Sequence, residues 1–85
     1  MFMNNNTKVV GLMKPYNEIL RDIREDRDLT QSDIAHVLKT TQQVYSRYEK
    51  GENEIPIRHI ITLCRYYNIS ADYLLGLKEE CTPLI

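Results

Sequence analysis

An all-α fold is the architecture this sequence predicts, and three observations carry the prediction. Apolar residues recur at helical spacings in successive segments, and hydroxyl residues stand just ahead of several of those segments as N-caps. No stretch alternates apolar and polar residues with the period of two that a half-buried strand requires.

Five helices follow in order. "PYNEILRDIREDRD" opens with a proline suited to a first helical turn, and Tyr16, Ile19, Leu20 and Ile23 fall at i, i+3, i+4 and i+7, which predicts a helix over about 16–27. In "LTQSDIAHVL", Thr30 as N-cap with Asp33 three residues on makes a capping box with a shortened acid, and a second helix over about 31–38 buries Ile34, Ala35 and Leu38. "KT" breaks that pattern. Thr41 then caps a third helix over about 42–49, which stops at Gly51.

After the loop "GENEIP", the segment "IRHIITLCRYYN" repeats apolar residues at Ile57, Ile60, Ile61, Cys64 and Tyr67, which predicts a fourth helix over about 57–67 with Cys64 on its core face. In "ISADYLLGL", Ser70 caps a short fifth helix with Leu74 and Leu75 turned inward. Residues 1–14 are asparagine-rich and then weakly apolar, an arm whose Val9, Val10, Leu12 and Met13 also suit a short strand or a contact with a second subunit. Residues 78–85 are expected to be a frayed tail, which leaves 15–77 as the folded unit.

Composition narrows the function classes. At 85 residues the chain is expected to form one small domain, with no second sensing or catalytic domain. It is 42% hydrophobic and 27% charged, with no apolar run long enough to span a membrane and no signal peptide, so the expected location is the cytoplasm. Cys64 sits in an apolar helical pattern and reads as a core residue; no Cys or His pair has the close spacing of a zinc site. No nucleophile, base and orienting group form a set, and there is no glycine-rich phosphate loop. Neither an enzyme nor a bound metal, cofactor or small-molecule ligand is expected. The net charge of −1 is unremarkable, but its distribution is not: between His36 and Lys50 stand Lys39, Arg47 and Lys50 against the single acid Glu49.

Glu49 poses a problem of its own. At 100° per residue, Thr41, Tyr45, Tyr48 and Glu49 share one face of the third helix, while Gln43, Ser46, Arg47 and Lys50 share the opposite one. Tyr45 and Tyr48 carry the apolar area, so their face packs inward and takes Glu49 with it. A carboxylate removed from water needs a hydrogen-bonded cation, and Arg24 near the end of the first helix is the expected partner.

From Leu20 to Leu77, about two thirds of the chain, the pattern resembles the lambda-repressor-like, Xre-type helix-turn-helix family of DNA-binding regulators. "LRDIREDRDLTQSDIA", "TTQQVYSRYEKGE" and "YYNISADYLLG" carry the resemblance, in the family's order and separations. "TTQQ" is similar to the start of the recognition helix in a lambdoid phage repressor. The resemblance implies a five-helix domain whose helices two and three form the helix-turn-helix, and it supports the pairing of Arg24 with Glu49.

The outer face of helix three then reads as a DNA surface. Gln42 and Gln43, at its N-terminus, suit the adenine edge; Arg47 suits guanine or a phosphate; Ser46 is short and adaptable, and Val44 suits a thymine methyl. Gln31, which also stands where it can brace Gln42, is expected at the DNA backbone together with Lys39, Thr41 and Lys50. Two residues depart from the family pattern. Lys39 stands where glycine is common, at a cost of about 1 kcal/mol if its φ is positive. Tyr45 replaces a smaller aliphatic residue and needs a roomier pocket and a partner for its hydroxyl.

One such domain makes few base contacts, so the expected partner is a palindromic double-stranded operator bound by a homodimer, with half-sites about 34 Å apart. Tyr73, Leu74 and Leu77 near helix five, or the N-terminal arm, are the candidate dimer contacts. Repression by occupying an operator is the simplest mechanism; the rival reading is an antitoxin or adaptor whose main contact is another protein.

Overall fold

The computed structural model describes residues 14–85, so the expectations for the arm lie outside the described residues except at Lys14. The Lys14 ammonium pairs with Asp22 at 2.6 Å on the surface. Five helices follow: α1 Tyr16–Asp26, α2 Gln31–Val37, α3 Gln42–Lys50, α4 Ile57–Tyr67 and α5 Ala71–Leu74.

The helix starts follow from local chemistry. Pro15 and Pro56, both at φ −64°, precede α1 and α4. Thr30 accepts from the Asp33 backbone N–H at 3.0 Å while the Asp33 carboxylate accepts from the Thr30 N–H at 2.8 Å, a closed capping box at the start of α2. Thr41 and Ser70 cap α3 and α5 through their hydroxyl oxygens. Gly51 ends α3 at φ 77°, a left-handed geometry in which an added Cβ would also press on the Asn17 side chain at 3.3 Å.

Packing joins α1 to α3, α2 to α3, α4 to α5, and α1 to α5. Their shared core contains Leu20, Ile34, Tyr45, Leu63, Ile69 and Leu74, each nearly inaccessible. Each such side chain contributes roughly 1.5–3 kcal/mol by leaving water.

The apolar pattern of α4 is only partly buried, and the expectations about α5 and Thr41 need correction. Ile57 and Ile61 are 76% and 47% exposed, and Leu75 is 41% exposed. The inward side of α4 is taken by Ile60, Leu63, Cys64 and Tyr67, with His59 buried beside them; Ile61 lies one step around the helix from Ile60, and Ile57 projects past the edge of the core at the first turn. α5 is a single turn, so only Leu74 of the pair Leu74 and Leu75 can face inward. Leu74 is therefore core and cannot supply a subunit contact, and Tyr73 is half-buried; Leu77 stands 70% exposed. Thr41 is exposed although the wheel puts it on the inner face, because it stands outside the helix as its cap. The tail is tied down at one point, where the Ser70 N–H donates to the Thr82 carbonyl at 2.8 Å and the two hydroxyls bond at 3.0 Å.

Candidate nucleic-acid interface

The turn between α2 and α3 fixes how the two helices meet. The Lys39 N–H donates to the His36 carbonyl and the Thr40 N–H to the Ala35 carbonyl, which closes the end of α2. Lys39 then takes φ 58°. With a side chain in that region the turn carries about 1 kcal/mol of strain relative to glycine, and it sends the lysine into solvent.

The inner face of α3 anchors it. Tyr45 is fully buried and meets Tyr48 edge-to-face, their ring centroids 6.3 Å apart. Tyr48 in turn packs against His59 on α4. Among the described residues, neither the Tyr45 hydroxyl nor that of Tyr67 has a hydrogen-bond partner. Burial, and then the neighbouring Glu49 charge, push the Tyr45 phenol far above its ordinary pKa.

Glu49 is buried and held from two other helices. Arg24 donates through Nε to Oε2 at 2.7 Å and through Nη2 to Oε1 at 3.0 Å, a bidentate pair between α1 and α3. The third Arg24 nitrogen, Nη1, donates to the Leu29 carbonyl at 2.8 Å, so the guanidinium also ties down the chain entering α2. From α2, Gln31 Nε2 donates to Glu49 Oε1 at 3.1 Å. Burial alone would raise the Glu49 pKa; the Arg24 bonds, assisted by Gln31, more than offset it and hold the carboxyl below its ordinary value. Asn17 adds a bond from its amide to the Glu49 carbonyl at 3.1 Å.

With that face held, the opposite one is set. Gln42, Gln43, Arg47 and Lys50 are exposed and Ser46 is half-buried. No hydrogen bond or ion pair among the described residues engages the Gln43 or Arg47 side chain. Gln42 is different: its Nε2 donates to Gln31 Oε1 at 2.7 Å, which couples the first residues of α3 and α2. Thr41 is occupied as the cap, accepting from the Val44 N–H at 3.2 Å, and Val44 rests partly against the core.

The structure thus gathers Gln31, Lys39, Thr41, Gln42, Gln43, Ser46, Arg47 and Lys50 around α3 and its turn, and places Arg24 and Glu49 beneath them. It also shows a feature that the sequence reading passed over. Arg58 and Thr62 on α4 line an open groove with Lys39, Thr40 and Val44. A cation in the first turn of α4 was the only signal for it. Among the described residues, no group of three or more His, Cys, Asp or Glu side chains could hold a metal ion, and no helix is long and apolar enough to cross a membrane.

Comparison with known proteins agrees with this geometry. A helix-turn-helix family model matches residues 20–74. The uncharacterized HTH-type transcriptional regulator YobD of Bacillus subtilis is 30% identical over 70 residues, covering 82% of this chain and 62% of the relative. The chain spans 41% to 62% of the length of the curated relatives it matches. Among solved structures, a transcriptional regulator from Listeria innocua superposes with a TM-score of 0.72 at 26% identity, over 81% of this chain and 64% of that one. The P22 c2 repressor, solved in complex with a synthetic operator, superposes with a TM-score of 0.69 at 22% identity, over 76% of this chain and 98% of that one, a likeness of fold.

Proposed function

The chain belongs to the helix-turn-helix family of DNA-binding transcriptional regulators, a non-enzymatic family, and we propose that it represses transcription in the cytoplasm by laying α3 in the major groove of an operator. The observation that carries this reading is the exposure of Gln43 and Arg47, whose side chains make no bond among the described residues, on a helix whose inner face is held by Tyr45, Tyr48 and Glu49. Residues 15–77 are the DNA-binding unit, with 78–85 a tail. Gln42, Gln43, Ser46 and Arg47 read bases, and Gln31, Lys39, Thr41 and Lys50 contact the sugar-phosphate backbone. The operator complex of the P22 c2 repressor supports the docking mode.

Two copies on a palindrome supply the specificity that one domain lacks. Their contact is the apolar face that Ile57, Ile61 and Leu75 leave open beside Tyr16 and Ala71, where a second copy removes exposed aliphatic area from water.

Selection from a random duplex library, followed by binding of the selected site to the Arg47→Ala variant, tests the reading. The expected result is a symmetric site, a loss of about 1–3 kcal/mol in the variant, and affinity that falls steeply as salt rises. Binding that ignores both Arg47 and salt would count against DNA readout and for a protein-contact role as an antitoxin or adaptor.

A further inference from the structure

The open groove between the α2–α3 turn and α4 is lined by cations without acids. The chain has 12 Asp and Glu against 11 Lys and Arg, yet the titratable groups that face this space are Lys39 from the turn, Tyr48 from α3, and Arg58 and His59 from α4. The first turn of α4 holds no acid either. Lys39 and Arg58 are exposed, and no ion pair among the described residues engages them.

His59 lies beneath these two charges. It is 7% exposed and packs on Tyr48 with ring centroids 6.0 Å apart. A buried imidazole ordinarily satisfies its nitrogens within the protein, but the His59 ring makes no hydrogen bond among the described residues and lines the groove instead. The Thr40 hydroxyl on the same groove is also unengaged among the described residues, whereas Thr62 has committed its proton to the Arg58 carbonyl at 3.0 Å. The space measures about 720 Å³, within the range of roughly 300–1,000 Å³ of small-molecule sites.

We propose that this groove binds the oxyanion of a phosphoryl group, with Lys39 and Arg58 meeting its charge and His59 taking up a proton beneath it. Donors on separate elements suit a phosphoryl group, which presents three acceptor oxygens, better than a carboxylate with two. Burial, and then the Arg58 charge, hold the His59 pKa below its ordinary value. An oxyanion beside the ring offsets the Arg58 charge and gives the imidazolium an acceptor, so binding and protonation favour each other. The anion is therefore held more tightly as pH falls. Two sources offer the group: a small phosphate ester, or the backbone of a duplex passing the turn. The second source rests on the DNA-binding reading above; the site itself does not.

The test follows the His59 ring protons by NMR across pH, in inorganic phosphate and in chloride at equal ionic strength. Phosphate is expected to raise the His59 midpoint by about one pH unit, equivalent to a tenfold preference for the protonated ring, while exposed His36 on α2 does not move. Lys39→Gln combined with Arg58→Gln, both at exposed positions and checked for folding by circular dichroism and a thermal melt, is expected to abolish the rise. A His59 midpoint equal in phosphate and chloride would overturn the site, as would an undiminished rise in the double variant. Repeating the titration on the complex with a selected duplex assigns the source. A midpoint already raised in chloride and indifferent to phosphate supports the site with a duplex phosphate in it; a low midpoint that phosphate still raises supports it with a small ester. If the wild type selects no duplex, the DNA reading fails while the titration of the free protein still decides the site.

Discussion

The part of the molecule built from α1, α2 and α3 and the part built from α4 and α5 are held by different physics. In the first, Arg24, Glu49, Gln31 and Gln42 are joined by short directional bonds that cross between three helices. In the second, Ile60, Leu63, Cys64, Tyr67 and Leu74 are simply removed from water, and Ile57, Ile61 and Leu75 are left partly in it. Buried area says that two helices meet; it says little about their angle. Directional bonds are concentrated where an angle has to be right, under the helix that faces outward.

The largest effect should come from breaking the first part with a single substitution. Glu49→Leu strands the Arg24 charge in the interior and is expected to cost about 3–5 kcal/mol in urea unfolding. Adding Arg24→Met should recover most of that loss while leaving α3 less well aimed, seen as weaker discrimination between duplexes. In the second part, Leu63→Ala should cost about 2–5 kcal/mol through the cavity it leaves, with no polar partner whose removal restores it.

Acid separates the same contributions without mutation. His59 has a lowered pKa, because burial and then Arg58 oppose its protonation. Its contribution is whole above the ordinary histidine value of about 6.5 and is lost as pH falls through its lower folded value. The Glu49 pKa is also lowered, so its contribution is whole above the ordinary glutamate value of about 4.3 and goes only at more acid pH. Thermal melts across pH should show two declines, and Glu49→Leu should shrink the second to what the Asp33 carboxyl, held below its ordinary value by its bonds with Thr30, contributes.

Smaller effects sharpen the contrast. Lys39→Gly relieves the positive φ and is expected to stabilise the fold by up to about 1 kcal/mol while weakening DNA binding, since it removes a proposed backbone contact. Ile57→Ser should change the stability of the single domain by no more than about 0.5 kcal/mol, yet reduce self-association measured by sedimentation.

How much of this was legible in the sequence divides along the same line. The capping box at Thr30 and Asp33 is written in adjacent letters. The inward turn of Tyr45, Tyr48 and Glu49 follows from spacing, because two aromatic rings leave no doubt about which side of a polar helix packs. A buried carboxylate asks for a cation, and Arg24 stands close enough along the preceding helices to be named. The α4 face could not be read, and Leu75 of α5 was wrongly turned inward, for a physical reason. In "IRHIITLC" apolar residues cover more of the helix than one neighbour can bury, so spacing cannot say that Ile60 goes in and Ile61 stays out. A single turn such as α5 has no period to read. The Thr82 tie to Ser70 spans 12 residues and depends on a hydroxyl pair that no pattern announces.

The bonds around Glu49 also imply an order of assembly. Those to Arg24 and from Asn17 enclose 25 and 32 residues of chain, whereas α2 and α3 meet across a tight turn. Closing a longer loop sacrifices more chain entropy, so the α2–α3 hairpin should form early and α1 should dock onto it late. A chain caught midway through folding would already own its contact surface and still lack the means to point it.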